Sequence, residues 1–373
     1  MTRVPTLTVI AEQLLGAVPG GTGRYTRQIT GALGERAPAG WSVRTVAAWH
    51  RNLEPATIPG VDGPHRLPVG ARVLSQAWMY GLPPWPRGSS VHATTPLAPG
   101  RLAPASRDRP LIVTVHDTVP WSHPETLMPR GVSWHRTMIG RAARLADFLV
   151  VPTQVVADEL AAIYPATADR IRVIGHGVTA LPIVENAADR AAALRLPEKY
   201  VLSLATVEPR KGLDVLIKAM PDVPADLVIV GQAGWGDVDL GRWAQDAGLD
   251  ASRVHTLGRV SDADLAVVLD RAAVLAVPSR AEGFGLPVLE GMAAGVPVVM
   301  SDAPALVEVA GGATLVVPRE DAGGLTDALA AVLSDDRLAA ELRAKGRARA
   351  AGFSWAAAAD QLWALHASLV HRG

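Results

Sequence analysis

The chain reads as an α/β protein of two doubly wound parallel units, and three observations predict it. Short apolar runs of four to six residues recur along the whole length with longer amphipathic stretches between them, the rhythm of strand, helix, strand. The runs on either side of the motif at 282–290, Val274-Leu-Ala-Val-Pro278 and Val296-Pro-Val-Val-Met300, are apolar without alternation, as buried parallel strands are. At 373 residues the chain is long for one core, which points to two units.

In the first half the strand-like runs are 6–11, 43–48, 111–115, 148–151 and 171–174. The segment Pro19-Gly-Gly-Thr-Gly-Arg-Tyr25 follows the first of them and leads into a predicted helix over 26–33. The proline-rich stretch 83–110 reads as irregular connection. Gly175-His-Gly-Val178 and the alanine-rich polar stretch after it read as the linker, so the expected division is 1–178 and 179–354. The second half repeats the rhythm with runs 200–205, 226–230, 254–257, 274–277, 296–300 and 314–317. A last helix is expected over 355–373: Trp355 to His366 has strong helix propensity and apolar positions at three and four spacing, with Phe353-Ser354 as its cap.

Composition narrows the function. No run reaches the roughly 18 uninterrupted apolar residues of a membrane-spanning helix, and the N-terminus lacks a basic start followed by a long apolar core, so a cytoplasmic protein is expected. The absence of cysteine excludes disulfides, thiolate metal sites and a cysteine nucleophile. The formal net charge of zero hides an asymmetry: residues 1–178 carry 18 arginines against 11 acids, a net +7 that the remainder balances. Such a half suits an anionic partner, either a membrane surface or a phosphorylated acceptor. Its sharpest local expression is the acid-free segment from Arg130 through Arg136 and Arg141 to Arg144, interleaved with Trp134, Met138 and Ile139. This is either an interfacial amphipathic helix, which would place the protein peripherally on the inner face of the cell membrane, or a surface helix whose apolar side is core.

The most informative motif is Glu282-Gly-Phe-Gly-Leu-Pro-Val-Leu-Glu290, between two apolar runs and hence at the carboxyl end of a strand. Pro287 suits the first turn of a helix through Glu290 to about Ala294, with Gly295 as its stop. Gly283 and Gly285 let the backbone approach a ligand, and the free amides of the helix start favour an anion such as a diphosphate. Glu282 and Glu290 would repel phosphate and are better placed to accept bonds from hydroxyls, which together describes a nucleotide sugar. Glu208-Pro-Arg-Lys-Gly212 puts Arg210 and Lys211 at the analogous edge after run 200–205, where two cations can balance a diphosphate. His116-Asp117 closes run 111–115.

These motifs, in this order, resemble the family 4 retaining glycosyltransferases of GT-B fold, and more closely the bacterial GDP-mannose-dependent mannosyltransferases among them. The resemblance covers nearly the whole chain. It implies two Rossmann-like domains facing a cleft, the acceptor on the first, the nucleotide sugar on the second, and a C-terminal helix crossing back to the first. By the same resemblance Arg210 and Lys211 hold the donor diphosphate, Glu290 the ribose and Glu282 the hydroxyls of the transferred sugar. Gly283, Phe284, Gly285 and Leu286 complete the cradle. Gly258 and Val260 lie near the base, His116 beside the anomeric centre with Asp117 next to it, and Gly21 and Gly23 close over the phosphates. Many relatives carry an arginine where Ala205 or Thr206 stands here. Retention is explained in such enzymes by attack from the leaving-group face, a phosphate oxygen taking the acceptor proton, and no metal or cofactor is implied.

The implied reaction is hexose transfer, mannose first, from an NDP-sugar to a cell-envelope, lipid-linked or glycan acceptor. GDP-mannose leads, while UDP- and dTDP-sugar donors share the same cradle. No nucleic-acid partner is implied. The alternatives are a non-catalytic nucleotide-sugar-binding subunit and a GT-B nucleotide-sugar epimerase, the latter separable because only transfer releases free NDP when an acceptor is present. An NAD-dependent enzyme would want an acid after run 43–48, where Trp49-His50-Arg51 stands.

Overall fold

A computed structural model describes residues 4–100, 109–182, 184–234, 236 and 238–370. The chain forms two compact units. One comprises the residues up to Ser122, Pro129–Gly177 and the segment from Ser354; the other comprises His123–Met128 and Val178–Phe353.

The sheet of the first unit contains β1 (Thr6–Ile10), β2 (Ser42–Trp49), β3 (Asp62–Gly70), β4 (Ser90–Ala93), β5 (Leu111–Thr114), β6 (Phe148–Val151) and β7 (Ile171–Val173). They run parallel in the order β3-β2-β1-β4-β5-β6-β7, so the winding reverses between β1 and β4. Two strands are absent from the hydropathy reading. β3 carries Pro64 and Pro68 and pairs with β2 alone, in a register that shifts twice, as an edge position permits. β4 corrects the expectation for 83–110: it is a central strand inside that proline-rich stretch, of which 101–108 lie outside the described residues. Its sequence Ser-Val-His-Ala is polar at two positions that are fully buried, Ser90 and His92. Their partners come from far along the chain. Ser90 Oγ meets Nδ1 of His366 at 2.7 Å and His92 Nε2 meets Oγ1 of Thr114 at 3.3 Å.

The glycine-rich turn after β1 is also placed differently. Helix α1 spans Gly20–Glu35, so Gly21 and Gly23 form its first turn instead of preceding it. Gly23 donates to the Pro19 carbonyl at 2.8 Å, and a Cβ there would lie 2.4 Å from the Pro19 Cβ, an approach only glycine allows.

The arginine-rich segment is helix α2 (Pro129–Leu145). Met138 and Ile139 are each 1 % exposed within the unit's own core, and Trp134 packs against that core while donating to Ser75 Oγ at 2.8 Å. Its apolar side is therefore core. Arg130, Arg136 and Arg144 are exposed and Arg141 is half-buried.

The last helix, α3 (Trp355–Val370), belongs to the first unit; residues 371–373 of the expected span lie outside the described ones. It packs along α1. Trp363 Nε1 donates to the Leu33 carbonyl at 3.0 Å and Arg36 grips Asp360 through two bonds of 2.9 Å. Ser354 caps it, accepting from the Ala357 amide, while Phe353 packs instead on Phe284 and Arg349.

The second unit's sheet is β8 (Tyr200–Leu204), β9 (Asp226–Val230), β10 (Val254–Gly258), β11 (Val274–Val277), β12 (Val298–Ser301) and β13 (Leu315–Val317). All neighbours are parallel, in the order β10-β9-β8-β11-β12-β13. The winding reverses between β8 and β11. Chains leaving those two strands diverge to opposite faces and open a crevice at their carboxyl ends, where ligands of open α/β sheets bind.

Candidate functional site

The two loops at that switch point in the second unit carry the predicted motifs. After β8 the chain makes a tight turn, Pro209–Lys211, then Gly212 in a left-handed conformation (φ 64°) before helix α4 (Leu213–Ala219). A Cβ on Gly212 would lie 2.2 Å from the Pro278 carbonyl oxygen, so glycine lets this turn press against the exit of β11. After β11 comes Pro278 to Gly285, then helix α5 (Leu286–Ala294), with Pro287 in its first turn and Gly295 (φ 75°) ending it, as the sequence predicts. Gly285 adopts φ 95°, and a Cβ there would meet Leu306 Cδ2 at 2.3 Å. Packing beneath the loop therefore itself calls for glycine here.

The structure brings Arg210, Lys211 and Glu282 together. Lys211 Nζ donates to Glu282 Oε1 at 2.6 Å, and Arg210 Nη1 donates to Glu282 Oε2 at 3.1 Å and to the Ala281 carbonyl at 2.9 Å. Arg210 Nη2 donates to Glu208 Oε1 at 2.8 Å, and Ser279 Oγ donates to Glu282 Oε1 at 2.8 Å. Sequence reasoning assigned Glu282 to hydroxyls and did not pair it with the cations. Here two acids and two cations interlock, and Glu208, 2 % exposed, is a partner that the motif contained without being assigned a part.

Burial and pairing set the charges. Burial pushes the Glu282 carboxyl up, but Lys211, Arg210 and the bonds from Lys211 and Ser279 outweigh it and hold it down at about 2. Burial raises Glu208 above its ordinary value, opposed by Arg210 and Lys211. The network is thus charged at Glu282. Its bond to Glu282 takes one of the three donors of the Lys211 ammonium.

The other predicted residues of this unit lie around that network. Gly283, Phe284 and Leu286 are buried in the loop and helix start, Phe284 edge-on to Phe353 at 5.9 Å. Glu290 is half-buried within α5. Gly258 (φ 64°) ends the edge strand β10, and Val260 follows it, half-buried.

The remaining predicted residues belong to the first unit. Gly21 is exposed and Gly23 buried at the start of α1. His116 follows β5 and its Nε2 meets the Thr94 carbonyl at 2.8 Å; since a carbonyl only accepts, Nε2 carries the proton and the neutral ring has a lone pair on Nδ1. Burial lowers His116, against the Thr94 bond and Asp117, which raise it. Asp117 Oδ1 accepts from the Val119 amide at 3.2 Å, ordering the turn behind the histidine.

Beside His116 lies a cluster that sequence reasoning missed. The Tyr25 ring stands edge-on to His116 at 4.8 Å and 4.5 Å from His176, which stacks on Trp355 at 6.0 Å and 19°. Tyr25 is buried, which pushes its hydroxyl up to about 12 despite its bond to Thr114. Its members sit at positions 25, 116, 176 and 355, so no local pattern announces them.

Among the described residues no group of three or more His, Asp or Glu is placed to hold a metal ion, and no helix is long and apolar enough to cross a membrane.

Two doubly wound parallel units in one chain, one with a charged polar site at its switch point and with the terminal helix returned to the other, define the GT-B class of protein. Residues 19–180 match the family described as Glycosyltransferase Family 4, and residues 184–349 match Glycosyl transferases group 1. The chain belongs to this family of glycosyltransferases. It is 30 % identical over 301 residues to phosphatidyl-myo-inositol mannosyltransferase of Mycobacterium leprae, covering 76 % of this chain and 74 % of that one. It is also 30 % identical over 259 residues to O-antigen chain mannosyltransferase B of Escherichia coli, covering 65 % of this chain and 66 % of that protein. The chain thus spans just under two thirds of the latter, and about a third of other relatives it matches. Among solved structures, Anabaena HepE in complex with UDP-glucose superposes with a TM-score of 0.74 at 19 % identity, over 98 % of this chain and all of that one. At that identity the likeness concerns the fold.

Proposed function

We propose that the chain is a retaining glycosyltransferase that moves a hexose, mannose first, from an NDP-sugar to a lipid-linked, cell-envelope or glycan acceptor. The observation that carries this reading is the Arg210–Lys211–Glu282 network at the switch point of the second sheet. Departure of a nucleoside diphosphate leaves negative charge on its terminal phosphate, and a donor fixed there lowers the barrier; one such donor is worth about 10² to 10³ in rate. Lys211 takes that role. Arg210 backs it from behind, donating to Glu208, Glu282 and the Ala281 carbonyl. Glu282, held ionised, accepts from the hydroxyls of the sugar, and Glu290 from the ribose. The start of α5, with Gly283 to Leu286, cradles the phosphates and sugar, and Gly258 and Val260 flank the base. In the first unit the family resemblance assigns His116, whose neutral Nδ1 is an acceptor, to a sugar hydroxyl and Gly21 and Gly23 to the phosphates.

Mannose is favoured by the relatives named as mannosyltransferases. A UDP-sugar is the alternative that the UDP-glucose complex of HepE supports. Arg130, Arg136 and Arg144 stay exposed on α2 with no acid from 126 to 146, which supports an electrostatic seat for an anionic acceptor or membrane surface. The test is a thermal-shift screen against GDP, UDP, dTDP and NAD, followed by NDP release from the matching sugar with and without acceptor. A ligand bound by the folded state raises the midpoint by mass action. Stabilisation by NAD alone, or NDP release that ignores every acceptor, would overturn the proposal.

A further inference from the structure

The turn that carries Arg210 and Lys211 is held from its other side by a residue no motif points to. Arg280, 22 % exposed, grips Asp214 at the start of α4 through both terminal nitrogens, at 2.9 and 2.7 Å. The same Nη1 donates to the Pro209 carbonyl at 2.6 Å, and Nε donates to Glu320 at 2.9 Å. Its backbone amide donates to the Arg210 carbonyl at 2.8 Å. Three positions, 209, 214 and 320, therefore converge on one guanidinium. Glu320 reaches it from a left-handed conformation, φ 65°, which costs a non-glycine residue backbone energy. A groove of about 530 Å³ lined by Pro209, Asp214, Trp243, Arg280 and Arg319 exposes this side of the clamp; Lys211 and Glu282 do not line it.

We infer that Arg280 is a positioning residue for the transfer: clamping Pro209 and Asp214, it fixes the turn that aims Lys211 at the leaving phosphate. The inference rests on the nucleotide-sugar reading. Lys211 is bounded on one side by Glu282 and, through its own turn, on the other by Arg280. A planar fork is needed to span a carboxylate and a carbonyl at once, which the point charge of lysine does not supply.

The test compares binding of a nucleoside diphosphate with that of the matching monophosphate, which lacks the leaving phosphate, by calorimetry. GDP/GMP, UDP/UMP and dTDP/dTMP are run on wild type, Arg280→Ala, Arg280→Lys and Asp214→Asn. Arg280→Ala is expected to weaken the diphosphate about tenfold, as loss of about 1.4 kcal/mol does, and to leave the monophosphate within twofold. Arg280→Lys should fail to rescue it. Equal weakening of both nucleotides shows a merely structural role and overturns the inference, as does no weakening of either. Should Arg280→Ala not fold, Asp214→Asn faces the same outcomes. A wild-type protein that binds none of the diphosphates overturns the nucleotide-sugar reading itself.

Discussion

The buried histidines of the first unit make its stability fall steeply in mild acid. His92 and His366 are fully buried, their rings 5.6 Å apart, and His176 is 5 % exposed. Burial, with the neighbouring His116, pushes His92 down to about 3 and His176 well below its ordinary value; burial and His92 do the same to His366. The folded state keeps all three neutral while the unfolded chain takes up protons near pH 6.5. The folded pKa lies below the unfolded one, so stability is undiminished above the unfolded value and is lost as pH falls through it. Between pH 7.5 and 5.5 linkage gives on the order of 1 kcal/mol per histidine, hence roughly 3 to 4 kcal/mol for three. Against a typical total of about 5 to 15 kcal/mol this is a large fraction. His116, also lowered by burial, adds to the drop in the same direction, whereas Glu208, raised by burial, works in the opposite sense and belongs to the second unit. Urea unfolding followed by tryptophan fluorescence reads the drop, because eight of the ten tryptophans belong to the first unit. Wild type should lose at least about 3 kcal/mol over the window, and a His92→Asn, His366→Asn variant clearly less. Equal stability of wild type at the two pH values, or an undiminished drop in the variant, refutes the reasoning.

Lys211→Ala and Glu290→Ala should each weaken NDP binding and nearly abolish transfer with the fold intact, as circular dichroism and turnover together would show; wild-type turnover in either sinks the site assignment. Glu282→Gln leaves Lys211 and Arg210, 13 % and 15 % exposed, short of a counter-charge, and should cost about 3 kcal/mol by chemical denaturation. Because Glu282 is held at about 2, the stability it supplies is present above its ordinary carboxylate range and lost as pH falls toward 2, and the variant should lack that component. Gly212→Ala, with φ 64° and a Cβ directed 2.2 Å from the Pro278 oxygen, should cost at least about 1 kcal/mol and depress turnover more than it shifts the thermal midpoint; an unchanged turnover would show that the turn tolerates displacement.

Several features were legible because they are local. Eleven of the thirteen strands among the described residues coincide with predominantly apolar runs, as burial on both faces favours. Helix α5 was legible to its ends, because Pro287 and Gly295 have backbone preferences that act within one turn. The meeting of Glu208-Pro-Arg-Lys-Gly212 and Glu282 to Glu290 follows once their strands are neighbours, but their pairing does not. Like-charge reasoning kept Glu282 off the phosphates, and only the fold shows that it also meets both cations.

By itself, then, the sequence determined the alternation of strands and helices, the helix start with its two glutamates, and the family. The tertiary structure alone decided that polar β4 lies at the centre of a sheet, where Ser90 Oγ and His92 Nε2 meet His366 and Thr114 from 276 and 22 residues away. It also decided that Arg280 locks the lysine turn. Hydropathy and turn preferences act over a few residues, whereas a buried charge or polar group is permitted only by partners that folding brings from elsewhere in the chain.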